Sequence, residues 1–268
     1  MILSRSQNPF VPLTVHEIVS ECRGLAKLGV GMIHIHARDE DGNPTWKKEY
    51  YQRIIDGIRE TNPDIIICVS TSGRLWSDFD KRSAVLDLEG DVTPDMASLT
   101  LSSLNFIKSA SMNEPQIISD LSRKMADKGI KPELEIFDTG MLNALHVMQK
   151  QGILTPPHYI NFIFGNIYSM QFDSHIVTYL LEGCPKNAVV AFGGIGAQHF
   201  EVTQTALSLD LGVRVGLEDC NNMYYGINRA ASNAELVERI LVLAQSSGKI
   251  ILAPNELRTL LQLPRKRL

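Results

Sequence analysis

Residues 31–72 read GMIHIHARDEDGNPTWKKEYYQRIIDGIRETNPDIIICVSTS. A β-branched run opens this stretch, an amphipathic pattern follows at 45–61, and a second apolar run fills 65–72. Apolar residues three and four apart predict a helix, and short apolar runs bounded by turn residues predict buried strands. A strand, a helix and a strand in succession predict a parallel βαβ unit, in an open sheet or a closed barrel.

The alternation continues along the chain. Further strands are predicted at 96–101, 133–138, 159–165, 187–195 and 213–219. Further helices are predicted near 13–28, 114–128, 139–151, 173–183, 197–210 and 232–248, with a less regular connection containing a short helix at 74–93. Thr14 precedes the first helix, and Ser232 with Glu235 has the spacing of a capping box. No linker divides the sequence, so we expect one α/β domain over 1–268, a TIM (β/α)8-type barrel with a C-terminal helical segment.

The first strand of that barrel is expected to be missing. Only MILS precedes a Gln-Asn-Pro turn and the first helix, whereas an eightfold barrel opens with a strand. Removing one strand leaves two unpaired edges, which invite pairing. We therefore expect either a natural start upstream of Met1, or a gap covered by oligomerisation or by residues 1–8 as a makeshift edge.

Composition narrows the class of protein. The net charge is −4, hydrophobic residues make up 44% of 268 residues, and no stripe of Lys and Arg interleaves with aromatics, so no nucleic-acid partner is expected. No apolar run approaches the roughly 18 residues of a membrane span, and the N-terminus lacks a signal-peptide pattern. The four cysteines are far apart, as in core thiols of a reducing compartment. A cytoplasmic protein is expected.

Two histidines share one face of the first predicted strand. In MIHIHAR the alternation of a strand places His34 and His36 on one face and Ile33 and Ile35 on the other. The histidines then point into the barrel near the C-terminal end of the strand, where barrel active sites lie. Two imidazoles so placed can bind one divalent cation, with zinc as the first expectation. The alternative is a pair of histidines that form hydrogen bonds within the core.

The run VRVGLED (213–219) repeats this pattern. Arg214 and Glu218 share its inward face, where an unpaired charge costs several kcal/mol. Glu218 is a candidate third metal ligand, and Asp219 is expected at the rim as a general base. A buried Arg–Glu structural pair is the alternative.

Other strand ends are small and polar. Ser70, Ser98 and Thr100 supply hydroxyls that suit a substrate carboxylate or carbonyl, and Glu135 lies inward on the next strand. Turn chemistry at a strand end is the alternative for each hydroxyl. The run FGGIG (192–196) offers backbone N–H groups for an anion, or only a tight turn.

Several motifs follow one another as in a known family: NPFVPLTVHEI, HIHARDEDGNPT, STSG, PDMASLTLSSLNF, PELEIFDTGM, GGIGAQH and RVGLEDC. In this order they resemble the β-keto acid cleavage enzymes of the 3-keto-5-aminohexanoate cleavage type, over nearly the whole chain. The resemblance implies a zinc-dependent TIM barrel, usually a homotetramer. It also implies condensation of a β-keto acid with acetyl-CoA, which gives acetoacetate and a new acyl-CoA.

The resemblance also implies roles for particular residues. His34, His36 and Glu218 match the family's metal ligands, and Asp219 its general base, with Arg214 beside it. The positions of Ser70 and Ser98 match substrate contacts, and Glu135 matches a carboxylate that meets the far end of the substrate. Two departures are the absent first strand, with its metal-proximal Glu, and the loop GNIYSMQF (165–172), where relatives carry a Gly/Pro-rich segment.

Two rival functions have different requirements. A metal-dependent hydrolase or aldolase on the same barrel is one; the hydrolases need further histidines at later strand ends, whereas His16 and His146 fall in predicted helices. A non-catalytic homologue truncated at its N-terminus is the other, and the intact set of His34, His36, Glu218 and Asp219 argues against it.

Overall fold

The computed structural model describes residues 3–224 and 226–264, except the side chain of residue 228. Seven parallel strands form one sheet in the order of the chain. They are β1 (Met32–Ile35), β2 (Ile66–Val69), β3 (Met96–Thr100), β4 (Lys131–Ile136), β5 (Tyr159–Phe164), β6 (Val189–Gly194) and β7 (Gly212–Arg214). The prediction of a TIM-type α/β fold that lacks one strand is confirmed.

Helices precede, connect and follow the strands, and those between strands cover the outer face of the sheet. They are α1 (Val15–Lys27), α2 (Lys48–Arg59), α3 (Phe79–Ser83), α4 (Pro115–Asp127), α5 (Thr139–Lys150), α6 (Ser174–Glu182), α7 (His199–Ser208), α8 (Asn233–Ser246) and α9 (Pro254–Leu261). Capping boxes begin α1 at Thr14 and α8 at Ser232, and the short α3 lies in the irregular connection. No helix in the described part of the chain is long and apolar enough to cross a membrane.

The alternation along β1 decides which side chains face the helices. Ile33 and Ile35 belong to the same buried cluster as Ile54 and Ile58 of α2. Burial of each such isoleucine contributes about 1.5–3 kcal/mol, which fixes the register of the strand against the helix. His34, which lies between the two isoleucines, therefore faces the concave side of the sheet.

Helix α9 closes the end of the sheet opposite the candidate site. Leu261 and Leu263 pack on Ile66 and Met96, at or next to the N-terminal ends of their strands. Arg258, 1% exposed, forms an ion pair with Asp95 at 2.9 Å and donates to the Asp64 and Ile65 carbonyl oxygens. Because the charge is paired and satisfied, this helix can be anchored in the interior.

The sheet stays open between β1 and β7. These strands are its two edges and do not pair with each other in the described ranges. A cavity of about 1110 Å³ lies between them, lined also by parts of α1, α8 and α9. Residues 3–8 do not add a strand to either edge of the sheet, because they form a turn in which the Gln7 N–H donates to the Ser4 carbonyl oxygen at 3.0 Å. Residues 1 and 2 lie outside the described residues.

Two local features differ from the sequence predictions. The last strand ends at Arg214 rather than Asp219, because the N–H groups of Asp219 and Cys220 donate to the Gly216 carbonyl oxygen and close a turn. Two hairpins were not predicted. One pairs Leu104–Asn105 with Ala110–Ser111, and the other pairs Asn222–Tyr224 with Ile227–Ala230.

Candidate metal and substrate site

The imidazoles of His34 and His36 meet at the C-terminal end of β1. Their Nε2 atoms are 3.3 Å apart, and the ring centroids are 5.0 Å apart. Burial lowers the pKa of His36 to about 3, so this ring is neutral at pH 7, as a metal ligand must be. The structure thus brings together the two side chains that the strand alternation placed on one face.

Glu218 joins the histidines from the other edge of the sheet. Its Oε1 lies 2.9 Å from His36 Nε2, and its Oε2 lies 4.0 Å from His34 Nε2. One ligand atom from each of the three side chains lies within 4.8 Å of the others. Two imidazole nitrogens and one carboxylate oxygen suit Zn²⁺ and leave a position open for substrate, so this donor set fits the predicted cation.

Glu133 orients His34 and was missed by the sequence analysis. Its Oε2 accepts hydrogen bonds from His34 Nδ1 at 2.7 Å and from Cys68 Sγ at 3.1 Å, and its Oε1 accepts one from Asn161 at 3.1 Å. A carboxylate on Nδ1 directs Nε2 of the same ring toward a cation. The signal was present in the sequence, because Glu133 and Glu135 are two residues apart on β4 and share a face.

A second group of three, His34, Cys68 and Glu133, also lies within 4.8 Å. Burial raises the pKa of the Cys68 thiol well above its ordinary value, and Glu133 raises it further. The protonated thiol is thus a donor to Glu133 and not a thiolate ligand. The group with His36 and Glu218 is therefore the better cation site.

Arg214 connects the acidic groups of the site. Its Nε donates to Asp219 at 2.9 Å, its Nη1 to Glu135 at 3.0 Å, and its Nη2 to Glu218 at 3.0 Å. An inward arginine paired with several carboxylates avoids the cost of an isolated buried charge. The guanidinium therefore sets the positions of a candidate ligand and of the candidate base together.

Asp219 is buried, which corrects its predicted place at the rim. Asp219 is 7% exposed, because the turn that begins at Gly216 directs the chain inward ahead of this residue. Burial raises the pKa of Asp219 to about 6, although the Arg214 guanidinium beside it acts in the opposite direction. The carboxyl group is consequently ionised at pH 7 but remains basic enough to accept a proton.

The predicted substrate residues line the same cavity as the candidate ligands. Ser70 follows β2, and Ser98, Thr100 and Glu135 lie on β3 and β4. The Ser98 hydroxyl accepts from the Thr71 N–H at 3.1 Å, and Thr100 donates to Glu135 at 2.8 Å. The structure brings these residues together, while their contacts with substrate stay a prediction.

The walls of the cavity come from loops after β1, β2 and β3. Trp46, Trp76 and Phe106 contribute apolar surface, and Arg74 contributes a cation. None of these four was predicted as a site residue, although loops at this end of a barrel carry most active-site side chains. In the described residues that line this cavity, His34 and His36 are the only histidines, which does not provide the larger histidine set of a metal-dependent hydrolase.

The glycine run at 192–196 has a packing explanation. A Cβ on Gly194 would lie 2.7 Å from His199 Cα, so β6 can approach α7 only with glycine there. The Gly196 N–H donates to the Asp219 carbonyl oxygen at 2.9 Å, and Gly196 has φ +59°. This loop thus supports the backbone of Asp219; the anion site considered for it stays a prediction.

The fold and the cluster define an α/β barrel of the TIM type with a candidate metal site at the C-terminal ends of its strands. The model of the beta-keto acid cleavage enzyme family matches residues 1–263, and the chain belongs to this family.

Two named relatives align with the chain over most of their length. The chain is 34% identical to a 3-keto-5-aminohexanoate cleavage enzyme of Fusobacterium nucleatum subsp. nucleatum, covering 97% of this chain and 94% of that protein. It is 33% identical to a 3-oxoadipate:acetyl-CoA acetyltransferase of Cupriavidus necator, covering 97% and 90%. The solved apo structure of ObcA shares the fold with a TM-score of 0.78 and 19% identity, covering 95% of this chain and 66% of ObcA.

Proposed function

We propose that this protein is an acyl-CoA-forming transferase that cleaves a β-keto acid with acetyl-CoA. The products are acetoacetate and the acyl-CoA derived from the rest of the keto acid. Membership of the family and the names of the relatives support this reaction. The observation that carries it for this chain is that His34, His36, Glu218, Arg214 and Asp219 converge in one cavity.

The cation, when bound by His34, His36 and Glu218, supplies Lewis acidity to the keto and carboxylate oxygens of the substrate. We propose zinc, because the donor set is two imidazoles and one carboxylate. Glu133 keeps His34 in the tautomer that directs Nε2 to the site.

Asp219 acts as the general base in this proposal. It removes a proton from the carbon between the keto and carboxylate groups of the substrate, and that carbon then attacks the acetyl carbonyl of acetyl-CoA. Arg214 holds Asp219 through its Nε at 2.9 Å. In the family reaction, the CoA thiol group is next transferred to the original keto carbon. Cleavage of the bond between that carbon and the carbon that lost its proton then releases the new acyl-CoA and the enolate of acetoacetate, which takes the proton back from Asp219.

The hydroxyls of Ser70, Ser98 and Thr100 are proposed to bind the substrate near the cation. All three line the cavity, and Thr100 also holds Glu135. The homotetramer, the cytoplasmic location and the single domain over 1–268 stay predictions. A non-catalytic homologue is disfavoured because the candidate ligands, Arg214 and Asp219 occupy one connected network.

Metal analysis followed by a turnover assay tests the proposal. The purified protein is expected to contain about one divalent cation per chain and to form acetoacetate from at least one β-keto acid in the presence of acetyl-CoA. Asp219→Asn serves as the inactive control, because it keeps the size of the side chain. A metal-loaded protein that forms no acetoacetate from a panel of neutral, acidic and amino-substituted β-keto acids would refute the proposed reaction.

A further inference from the structure

Arg74 is held against an aromatic ring at the wall of the candidate site. It lies on the loop after β2, and its guanidinium carbon is 4.1 Å from the centroid of the Phe106 ring. Phe106 packs edge-on against Phe137, with ring centroids 5.9 Å apart. A guanidinium stacked on a supported ring loses little conformational freedom when it binds a ligand.

The guanidinium of Arg74 forms no hydrogen bond or ion pair with a carboxylate in residues 3–224 and 226–264, although Glu218 lies close enough to act on it electrostatically. The Nε of Arg74 is buried and forms no hydrogen bond. The guanidinium groups of the other arginines of the cavity are fully hydrogen-bonded by comparison, because Arg82 donates to the neutral oxygens of Thr71, Met112 and Asn113, and Arg214 donates to three carboxylates. Because an unpaired, partly buried cation is costly, Arg74 is suited to bind an anion that enters the cavity.

The carboxylates that line the cavity already accept hydrogen bonds from other side chains. Glu135, the carboxylate expected to meet the far end of a substrate, accepts hydrogen bonds from Arg214 at 3.0 Å and from Thr100 at 2.8 Å. Asp219 and Glu218 are also paired with Arg214. A second polar group of a substrate in this cavity therefore meets a guanidinium that has no ion pair and carboxylates that are already paired, which favours an anionic over a cationic group there.

We propose that Arg74 binds a second carboxylate at the far end of the β-keto acid, so that the preferred substrates are 3-oxo dicarboxylic acids. The substrate's first carboxylate lies at the cation site, and the second accepts hydrogen bonds from the guanidinium of Arg74. This assignment rests on the proposed function for its reaction, but the binding of a dicarboxylate at Arg74 is testable without turnover.

Tryptophan fluorescence provides that test. The chain has two tryptophans, and both Trp46 and Trp76 line the cavity. We expect the metal-loaded protein to bind adipate at least about 10-fold more tightly than hexanoate. The two acids differ only in the far carboxylate, and a hydrogen bond to a charged group contributes enough free energy for a ratio of this size. Arg74→Gln should make the affinities for adipate and hexanoate nearly equal. Arg74→Lys should give an intermediate ratio, because lysine keeps the positive charge but lacks the paired N–H donors of a guanidinium.

Lys81→Gln is the matched control. Lys81 also lines the cavity, but it is paired with Asp78 at 3.3 Å, so the variant should keep the preference for adipate. Thermal melting checks that each variant is folded. Equal binding of adipate and hexanoate by the unaltered protein, or an unchanged ratio in folded Arg74→Gln, would overturn the proposal.

Turnover separates this proposal from the proposed function. With acetyl-CoA, kcat/KM for 3-oxoadipate should exceed that for 3-oxohexanoate, and Arg74→Gln should lower the first about 10- to 100-fold while changing the second less than about threefold. A rise in KM for acetyl-CoA with unchanged discrimination would assign Arg74 to the phosphates of CoA and refute the dicarboxylate assignment. Absence of acetoacetate from every acid would refute the reaction, while the fluorescence ratio would still decide the role of Arg74.

Discussion

Replacing Glu133 with Gln keeps the size of the side chain and removes its charge. The carboxylate accepts hydrogen bonds from His34 and Cys68 on Oε2 and from Asn161 on Oε1. A glutamine offers one oxygen and one NH₂ group, so either Asn161 or the pair His34 and Cys68 would face a donor instead of an acceptor. The His34 ring would then lose the charge-assisted bond that fixes its tautomer.

The size of the effect follows from that bond. A hydrogen bond to a charged group contributes about 1.5–3 kcal/mol, which corresponds to about 10- to 100-fold in an equilibrium constant. Loss of an outer partner of a ligating histidine costs metal affinity in the same range. We therefore expect Glu133→Gln to weaken zinc binding about 10- to 100-fold without changing the number of ligands.

Competition with a chromogenic chelator at pH 7 measures this affinity, and thermal melting of the metal-free protein checks the fold. Glu135→Gln is the matched control, because Glu135 lies two residues along the same face of β4 and contacts Arg214 and Thr100 rather than His34. The control should lose much less affinity. Unchanged zinc binding in Glu133→Gln, or an equal loss in both variants, would contradict the reasoning.

Three further predictions concern the same site. His34→Ala and Glu218→Ala should each lose most bound metal in elemental analysis, since two remaining ligands hold zinc weakly; stoichiometric zinc in both would exclude this ligand set. Asp219→Asn should keep its metal but lose several orders of magnitude in kcat. In the unaltered enzyme, kcat/KM should rise with pH as Asp219 loses its proton. The midpoint of that rise is expected near pH 6, or lower when a cation is bound. Asn8→Ala should lower the free energy of unfolding by about 1–3 kcal/mol, measured by urea denaturation, because it removes the side-chain donor to the Ala231 carbonyl oxygen and one of the two donors to the Asn221 carbonyl oxygen.

The barrel was predictable because its signals are periodic. Each strand of the sheet falls within or next to an apolar run bounded by turn residues, and each long connecting helix falls on a stretch with amphipathic spacing. The two hairpins were not predicted, because strands of two to four residues have too few side chains for a periodic pattern to be visible. The end of β7 was placed too late because the alternation of VRVGLED continues past Gly216, where backbone hydrogen bonds have already closed a turn.

The candidate site was predictable only in part. The facing of His34 and His36 follows from strand geometry alone, and so does the inward position of Arg214. Arg74 was not identifiable, because its role depends on Phe106, which lies 32 positions along the chain and meets it only in the folded protein. The depth of Asp219 was mispredicted for a similar reason, since it depends on the path of a turn rather than on any repeat.

The open side of the sheet raises the question of how the candidate ligands stay together. His36 follows one edge strand and Glu218 follows the other, yet their side chains approach to 2.9 Å. The N-terminal segment 3–13 makes the connection that the strands do not make. Arg38, after β1, donates to the Leu3 carbonyl oxygen at 2.7 Å, and Asn8 donates to the carbonyl oxygens of Asn221 and Ala231 beyond β7.

Apolar contacts strengthen the same connection. Val11 and Leu3 pack with Leu217, the residue before Glu218, and Leu217 is 2% exposed. The buried amide of Asn8 is 0% exposed and satisfied, so the segment is anchored by both packing and hydrogen bonds. This segment therefore links the two halves of the candidate metal site across the gap and, together with the Arg214 contact to Glu218, keeps the ligands within reach of one cation in an open sheet.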